Sequence, residues 1–270
     1  MADLYHQIKD AIHQSGAQRV LIHSDLLRGF RLRLPPNEGL LAAHCKMLLG
    51  LGADVYMPTF NYDYPSTRLY DVANDVSKIG VITEYFRKNV AQWRTPVPIF
   101  SVAGVGYFPE ITSENTIDPF DEGSVFGFLH RTGSLIMHYG SEFHATTFIH
   151  YVERVSGVLS YRYDKLFEGA VLNNGVKSSV TLKFHVRPMG RSLDYDWGKL
   201  ERDLVQAGLI QCFSEGATRI LLLSAKDLVS FWIDKLSGDR LYLLNATSRE
   251  WVDGLLNKLG RPFVQSDFEA

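Results

Sequence analysis

Hydrophobic positions along the chain fall into short apolar runs separated by amphipathic stretches. Residues 3–15 carry apolar positions at helical spacing and stop at Gly16, which predicts a helix. Arg19–His23 (RVLIH) is an apolar run of the length of a buried strand. Glu38–Gly50 returns to helical spacing with Gly52 at the stop position, and Asp54–Phe60 (DVYMPTF) predicts a second buried strand. Strand, helix, strand in this order favours a parallel or mixed sheet covered by helices. Lys78–Lys88 then reads as a helix, Ile99–Gly106 and Ser134–Tyr139 as strands, and Ala145–Val155 as a helix. Beyond about residue 160 the texture changes. Ser178–Arg187 (SSVTLKFHVR) alternates as a half-exposed strand does, and Trp197–Ala207, Ala225–Leu236 and Thr247–Leu259 read as helices. No repeat, low-complexity tract or linker interrupts the series. The expectation is one compact α/β domain over residues 1–270, with a mixed central sheet flanked by helices.

Asn61–Ser77 has no periodicity, and a segment this long without regular structure is usually functional or disordered. Its tyrosines argue against disorder. Composition changes this picture little: 46% hydrophobic, 21% charged and a net charge of −2 are ordinary for a globular chain. No basic run offers a phosphate backbone anything, so a nucleic-acid partner is not expected. No stretch approaches the roughly 18 apolar residues of a membrane span, and the N-terminus lacks the apolar core of a signal peptide. The expected location is therefore cytoplasmic, with no membrane partner. Two cysteines, Cys45 and Cys212, are too few for a disulfide framework or a cysteine zinc site. Cys45 follows His44, but neighbours on a helix point about 100° apart, which suits a buried hydrophobe better than a nucleophile and its base.

The most informative stretch is Thr146–Glu153, TTFIHYVE. On a helix, Thr147, His150 and Glu153 sit three residues apart and share one face with His150 in the middle. Glu153 can then accept from one imidazole nitrogen and leave the other free as a base. That pair suits amine acylation, because an ammonium must lose a proton before it can attack a thioester. A carboxylate beside the imidazole should raise its pKa slightly. Thr147 could steady the developing oxyanion. Spacing alone leaves two other readings open: a surface or satisfied core pair, and a metal site of His138, His144, His150 and Glu153. The histidines lack the spacing of the zinc-protease helix, so no metal is expected.

Six stretches in order resemble the aminoglycoside 3-N-acetyltransferase family: LIHSDL, GADVYMPTFNYDYPS, VSKIGVITEYFRK, WRTPVPIFSVAGVG, FDEGSVFGFLHRTGSLIMHYG and TTFIHYVE. They run from about residue 18 to 165. The resemblance implies an α/β acetyltransferase fold, acetyl-CoA as co-substrate, and Thr147, His150 and Glu153 as the catalytic trio. It implies acetyl-CoA contacts at His23, Ser24, Asp25, Ser77 and Gly80. Acceptor contacts are expected at Asn61, Tyr62, Asp63, Tyr64, Arg94, Tyr161 and Arg162. Three positions depart from the family pattern: Thr146 stands for asparagine, Val97 for histidine and Val125 for proline. The wording around TFIHYVERVSGVLSYRYDK resembles members associated with surface polysaccharides, which implies a place in lipopolysaccharide biosynthesis.

These readings predict direct transfer of acetyl to a primary amine of an aminosugar, with His150 as general base and a homodimer as one possible assembly. Arg162 and Lys165 would repel a polycation and welcome a phosphate, which favours a nucleotide-linked acceptor. Two alternatives stand beside this: an aminoglycoside-resistance enzyme, and a non-catalytic carbohydrate-binding homologue.

Overall fold

A computed structural model describes residues 2–26, 39–110, 116–216 and 218–269. The expected helix from Glu38 begins outside them, and the described part, α2, spans Leu40–Leu49 after α1 (Ala2–Ser15) and β1 (Arg19–Ser24). Then come β2 (Asp54–Pro58), α3 (Tyr64–Thr67), β3 (Leu69–Asp71), α4 (Val81–Asn89), β4 (Trp93–Arg94), β5 (Val102–Val105) and β6 (Thr116–Ile117). The central stretch adds α5 (Val125–Arg131), β7 (Leu135–Tyr139), a 3-10 turn at Phe143–Ala145 and α6 (Phe148–Ser156). The last part holds β8 (Tyr163–Asn173), β9 (Val176–Val186), α7 (Trp197–Gln206), β10 (Ile210–Glu215), β11 (Thr218–Ser224), α8 (Ala225–Gly238) and α9 (Ala246–Leu259).

Seven strands form a mixed sheet in the order β10-β11-β7-β1-β2-β5-β4. β1 lies parallel to both β2 and β7, and the outer pairs are antiparallel. The run RVLIHS is apolar on both faces because β1 is covered on both. Val20 and Ile22 join a core with α1, α2 and α4, and Leu21 joins a core with α5, α6, α7 and α8. The chain leaves β1 for β2 on one side and returns as β7 on the other. Such a switch point opens a crevice at the carboxyl ends of the strands, where open α/β sheets bind ligands. His23 and Ser24 stand at that end of β1.

A second sheet, β3-β8-β9-β6, packs Val171 and Leu182 into the α5–α8 core. Its centre is the β8–β9 hairpin, turned by Asn174 and Gly175, both at positive φ (50° and 79°) as a type I′ turn requires. The strand expected over Ser178–Arg187 is thus one arm of a longer pair, and neither β8 nor the β10–β11 hairpin was anticipated. The 61–77 segment is partly regular, since α3 and β3 lie within it. The strand expected from Ile99 starts at Val102, because Ile99 itself takes a left-handed φ of 65°.

Candidate active site

Helix α6 carries His150 and Glu153, with Thr147 at its head. Phe148, Ile149, Tyr151 and Val152 seat it in the core, and Gly157 ends it at a left-handed φ of 65°. Thr147 is its N-cap residue, yet its side chain makes no cap bond and meets only the Ala145 carbonyl, at a long 3.5 Å. One turn on, His150 Nδ1 lies 3.1 Å from Glu153 Oε2. The His150 side chain keeps 28% exposure, while that of Glu153 is almost fully buried.

Three further groups surround Glu153. Arg162 Nε stands 2.8 Å from Oε1, Tyr161 donates its hydroxyl to Oε1 at 3.4 Å, and Tyr195 donates to Oε2 at 2.9 Å. Burial alone would push the Glu153 carboxyl up. The Arg162 guanidinium and the His150 hydrogen bond overcome it and hold the group at about 2. His150 departs from expectation. Burial lowers its pKa, and the bond and charge of Glu153 only partly offset this, because Arg162 and Arg187 push the same way as burial. The slight rise expected from a neighbouring carboxylate is therefore reversed, chiefly by burial and further by the two guanidinium groups.

Donor and acceptor counting assigns the imidazole tautomer. Glu153 is ionised and can only accept, so Nδ1 carries the hydrogen and Nε2 keeps its lone pair. His150 and Thr147 line a cleft of about 410 Å³ with His23, Ser24, Thr83 and His144. Phe60, Tyr62, Phe100 and Trp197 give it aromatic walls, and no carboxylate lines it among the described residues. Ser24, Ile79, His144 and Ala145 also line an adjoining pocket of about 650 Å³, together with Asp25, Leu26, Gly80, Val81, Ile82, Ser141 and Glu142. His23 Nε2, on the first cleft, and Ser24 Oγ, shared by both, are buried without a hydrogen-bond partner among the described residues. These orphaned groups, with the amino end of α4 at Gly80, fit the amides and thioester of a pantetheine arm.

The other expected site residues divide. Tyr62 lines the cleft, and Ser77 sits one layer behind, bonded through its hydroxyl to Thr83 at 3.1 Å. Asn61, Asp63, Tyr64, Arg94, Tyr161 and Arg162 do not line it. Asn61 is held by the Val76 carbonyl and the Asp63 amide, Asp63 pairs with Lys78, and buried Tyr64 reaches the Val180 carbonyl. Arg94 spends its donors on Thr59, Ser101 and the carbonyls of Thr59, Val72 and Asp75, pinning the 61–77 segment to the sheet. Arg162 serves Glu153, and Lys165 pairs with Glu269, so neither can greet a phosphate in the cleft. Tyr195, Phe100 and Trp197 were missed, and nothing in their local sequence distinguishes them.

The remaining histidines have other partners. His138 stacks on His23, with ring centroids 5.2 Å apart. Thr146 gives its hydroxyl hydrogen to the Phe143 carbonyl at 2.6 Å and so accepts from His138 Nε2 at 3.0 Å. His44 bonds the Tyr139 hydroxyl at 2.6 Å, and burial raises the Cys45 thiol to about 11, so neither resembles a nucleophile with its base. Among the described residues no three His, Cys, Asp or Glu side chains are grouped to hold a metal.

Solved structures similar to this chain include aminoglycoside acetyltransferases. AAC-IIIb in binary complex with CoASH is 16% identical, covering 87% of this chain and 96% of that one, with a TM-score of 0.68. Sisomicin-bound AAC-VIa is 18% identical over 87% of this chain and 97% of that one, with a TM-score of 0.68. The YokD protein from Bacillus subtilis is 16% identical over 87% and 94%, with a TM-score of 0.66. At these identities the likeness is one of fold. The family model for aminoglycoside 3-N-acetyltransferases matches residues 54–237, and the chain belongs to that family. It is thus an N-acyltransferase by class. A search of curated proteins gives no match.

Proposed function

We propose that the protein transfers acetyl from acetyl-CoA directly to a single primary amine of an aminosugar, with His150 as general base. The observation that carries this reading is the His150–Glu153 pair, with Nδ1 engaged and Nε2 keeping its lone pair, in the wall of a cleft that no carboxylate lines among the described residues. Nε2 takes a proton as the amine nitrogen bonds to the thioester carbon. Collapse of the tetrahedral intermediate breaks the carbon–sulfur bond, and the proton passes to the departing thiolate. In this reading Thr147 donates to the oxyanion; among the described residues its hydroxyl has a single long contact to give up. The second pocket suits the pantetheine arm, consistent with a fold neighbour solved as a binary complex with CoASH.

The acceptor class follows from the walls. Aromatic rings offer faces to a sugar. A polycation would want several carboxylates, since a close charge pair near a surface is worth roughly 4 kcal/mol before desolvation at an effective dielectric of 20. The nucleotide handle expected from Arg162 and Lys165 loses its support, because both are engaged elsewhere. The rival reading, a resistance enzyme acting on aminoglycosides, draws on a sisomicin-bound neighbour.

Steady-state kinetics with acetyl-CoA should give a higher kcat/KM for aminosugars than for gentamicin-type acceptors; the reverse order restores the resistance reading. His150→Ala should lose at least about 100-fold in kcat with the fold intact, the usual scale of general-base catalysis. The wild-type rate should rise with pH through a limb below the ordinary histidine range, since burial lowers His150. Near-normal turnover by His150→Ala would sink the mechanism.

A further inference from the structure

Tyr195 comes from the turn before α7, 42 residues beyond Glu153, and meets the catalytic pair. Its hydroxyl touches three groups: Glu153 Oε2 at 2.9 Å, His150 Nδ1 at 3.4 Å and the Arg162 guanidinium. Arg162 can only donate and the Glu153 carboxylate can only accept. The hydroxyl hydrogen therefore goes to Glu153, and the oxygen lone pair takes the Arg162 hydrogen. His150 and Tyr195 thus compete for one oxygen atom, Oε2.

Given the general-base reading above, we propose that Tyr195 is a positioning residue for acyl transfer, whose hydroxyl fixes Glu153 Oε2 and weakens the carboxylate's hold on the His150 imidazole. The backbone supports the placement. Tyr195 pairs with Leu244 in an antiparallel bridge, and its ring packs edge-on against Trp197, a cleft wall, at 5.2 Å. The hydroxyl is held by its surroundings rather than free to rotate.

The consequence is a set base strength. A carboxylate oxygen that accepts from two donors attracts each less than it would attract one. Without the phenol, Oε2 would serve His150 alone and stabilise imidazolium more, and the base would be protonated over more of the working range. Other charged and titratable groups near the pair are Arg162 and Tyr161 after α6, His185 on β9 and Arg187 just beyond it. None of these supplies a second hydrogen to Oε2; Tyr161 and Arg162 Nε act on Oε1.

The test is an NMR titration of the His150 ring nitrogens in wild type and Tyr195→Phe, with steady-state kinetics beside it. Phe keeps the ring and removes only the hydroxyl. The His150 titration and the pH–rate limb should both move up by about one pH unit, the scale of one hydrogen bond to a charged group, and both KM values should hold. Replacing Tyr195 with 3-fluorotyrosine, a stronger donor of nearly the same shape, should move the titration down, and it decides the matter if Tyr195→Phe does not fold. An unmoved His150 titration in the folded variants overturns the proposal. The titration needs no turnover, so it stands even if wild type acetylates nothing, an outcome that would instead sink the functional reading.

Discussion

Removing the charge of Glu153 would leave Arg162 buried beside a neutral amide, its ion pair gone. Breaking a buried pair by deleting one partner costs about 3–5 kcal/mol. Glu153→Gln should therefore melt well below wild type and lose activity, whereas His150→Ala should lose activity with little change in melting temperature. Equal melting temperatures for Glu153→Gln and wild type would show that the ion pair carries no such weight. The difference between the two variants marks what the sequence could disclose. Thr147, His150 and Glu153 lie three residues apart on one helix, so their grouping follows from helical geometry alone. Arg162 follows a left-handed turn at Gly157, and Tyr195 lies 42 residues past Glu153, so no local spacing joins either to the pair. The direction of the His150 shift was missed for the same reason. It depends on how deeply the helix is buried and on a cation that spacing does not reveal.

At the level of elements, α5 shows how tightly this side of the sheet is built. Ser124 caps the helix by accepting from the Gly127 amide at 3.2 Å. A Cβ on Gly127 would meet the Glu122 carbonyl oxygen at 2.3 Å and the Asp121 carbonyl oxygen at 2.8 Å. Both are backbone atoms, so the turn itself would have to move. Alanine usually favours a helix over glycine by up to 1 kcal/mol. Here the clash should win, and Gly127→Ala should destabilise by about 1–3 kcal/mol, the usual cost of overpacking. A denaturant midpoint at or above that of wild type would refute the close approach. The parallel strands β1 and β2 were legible because they are apolar on both faces. β8 was not, since its burial alternates weakly along most of its length, although the Asn174-Gly175 turn after it is a hairpin signal that could have been read. β10, at the sheet edge, has no buried position and so offered no pattern to find.

Across the whole molecule, the buried histidines couple stability to pH. Burial lowers His23 to about 4, and burial with Arg162 nearby lowers His185 to about 4; His138 falls well below its ordinary value. Each is neutral in the folded protein at pH 6, where the unfolded chain has begun to bind protons with a pKa near 6.5. The unfolded state thus takes up protons that the native state refuses. The stability that depends on neutral histidines is full above about pH 6.5 and is lost as pH falls toward 4. Each such group contributes a slope of up to about 1.4 kcal/mol per pH unit, so His23 and His185 together can reach about 3 kcal/mol per unit. The Glu153 pair works in the same direction but later, because its carboxyl titrates at about 2 in the folded state and near 4.5 when unfolded. Its contribution stays intact until pH drops below about 4.5. Melting temperatures measured between pH 7.5 and 4.5 should therefore fall steeply while the Glu153–Arg162 pair is still ionised. His185→Leu, which removes one of these refused protons, should flatten the slope. A wild-type melting temperature that stays level down to pH 5 would show that these imidazoles are not held neutral by burial. The same result would remove the ground for placing the His150 limb below the ordinary histidine range.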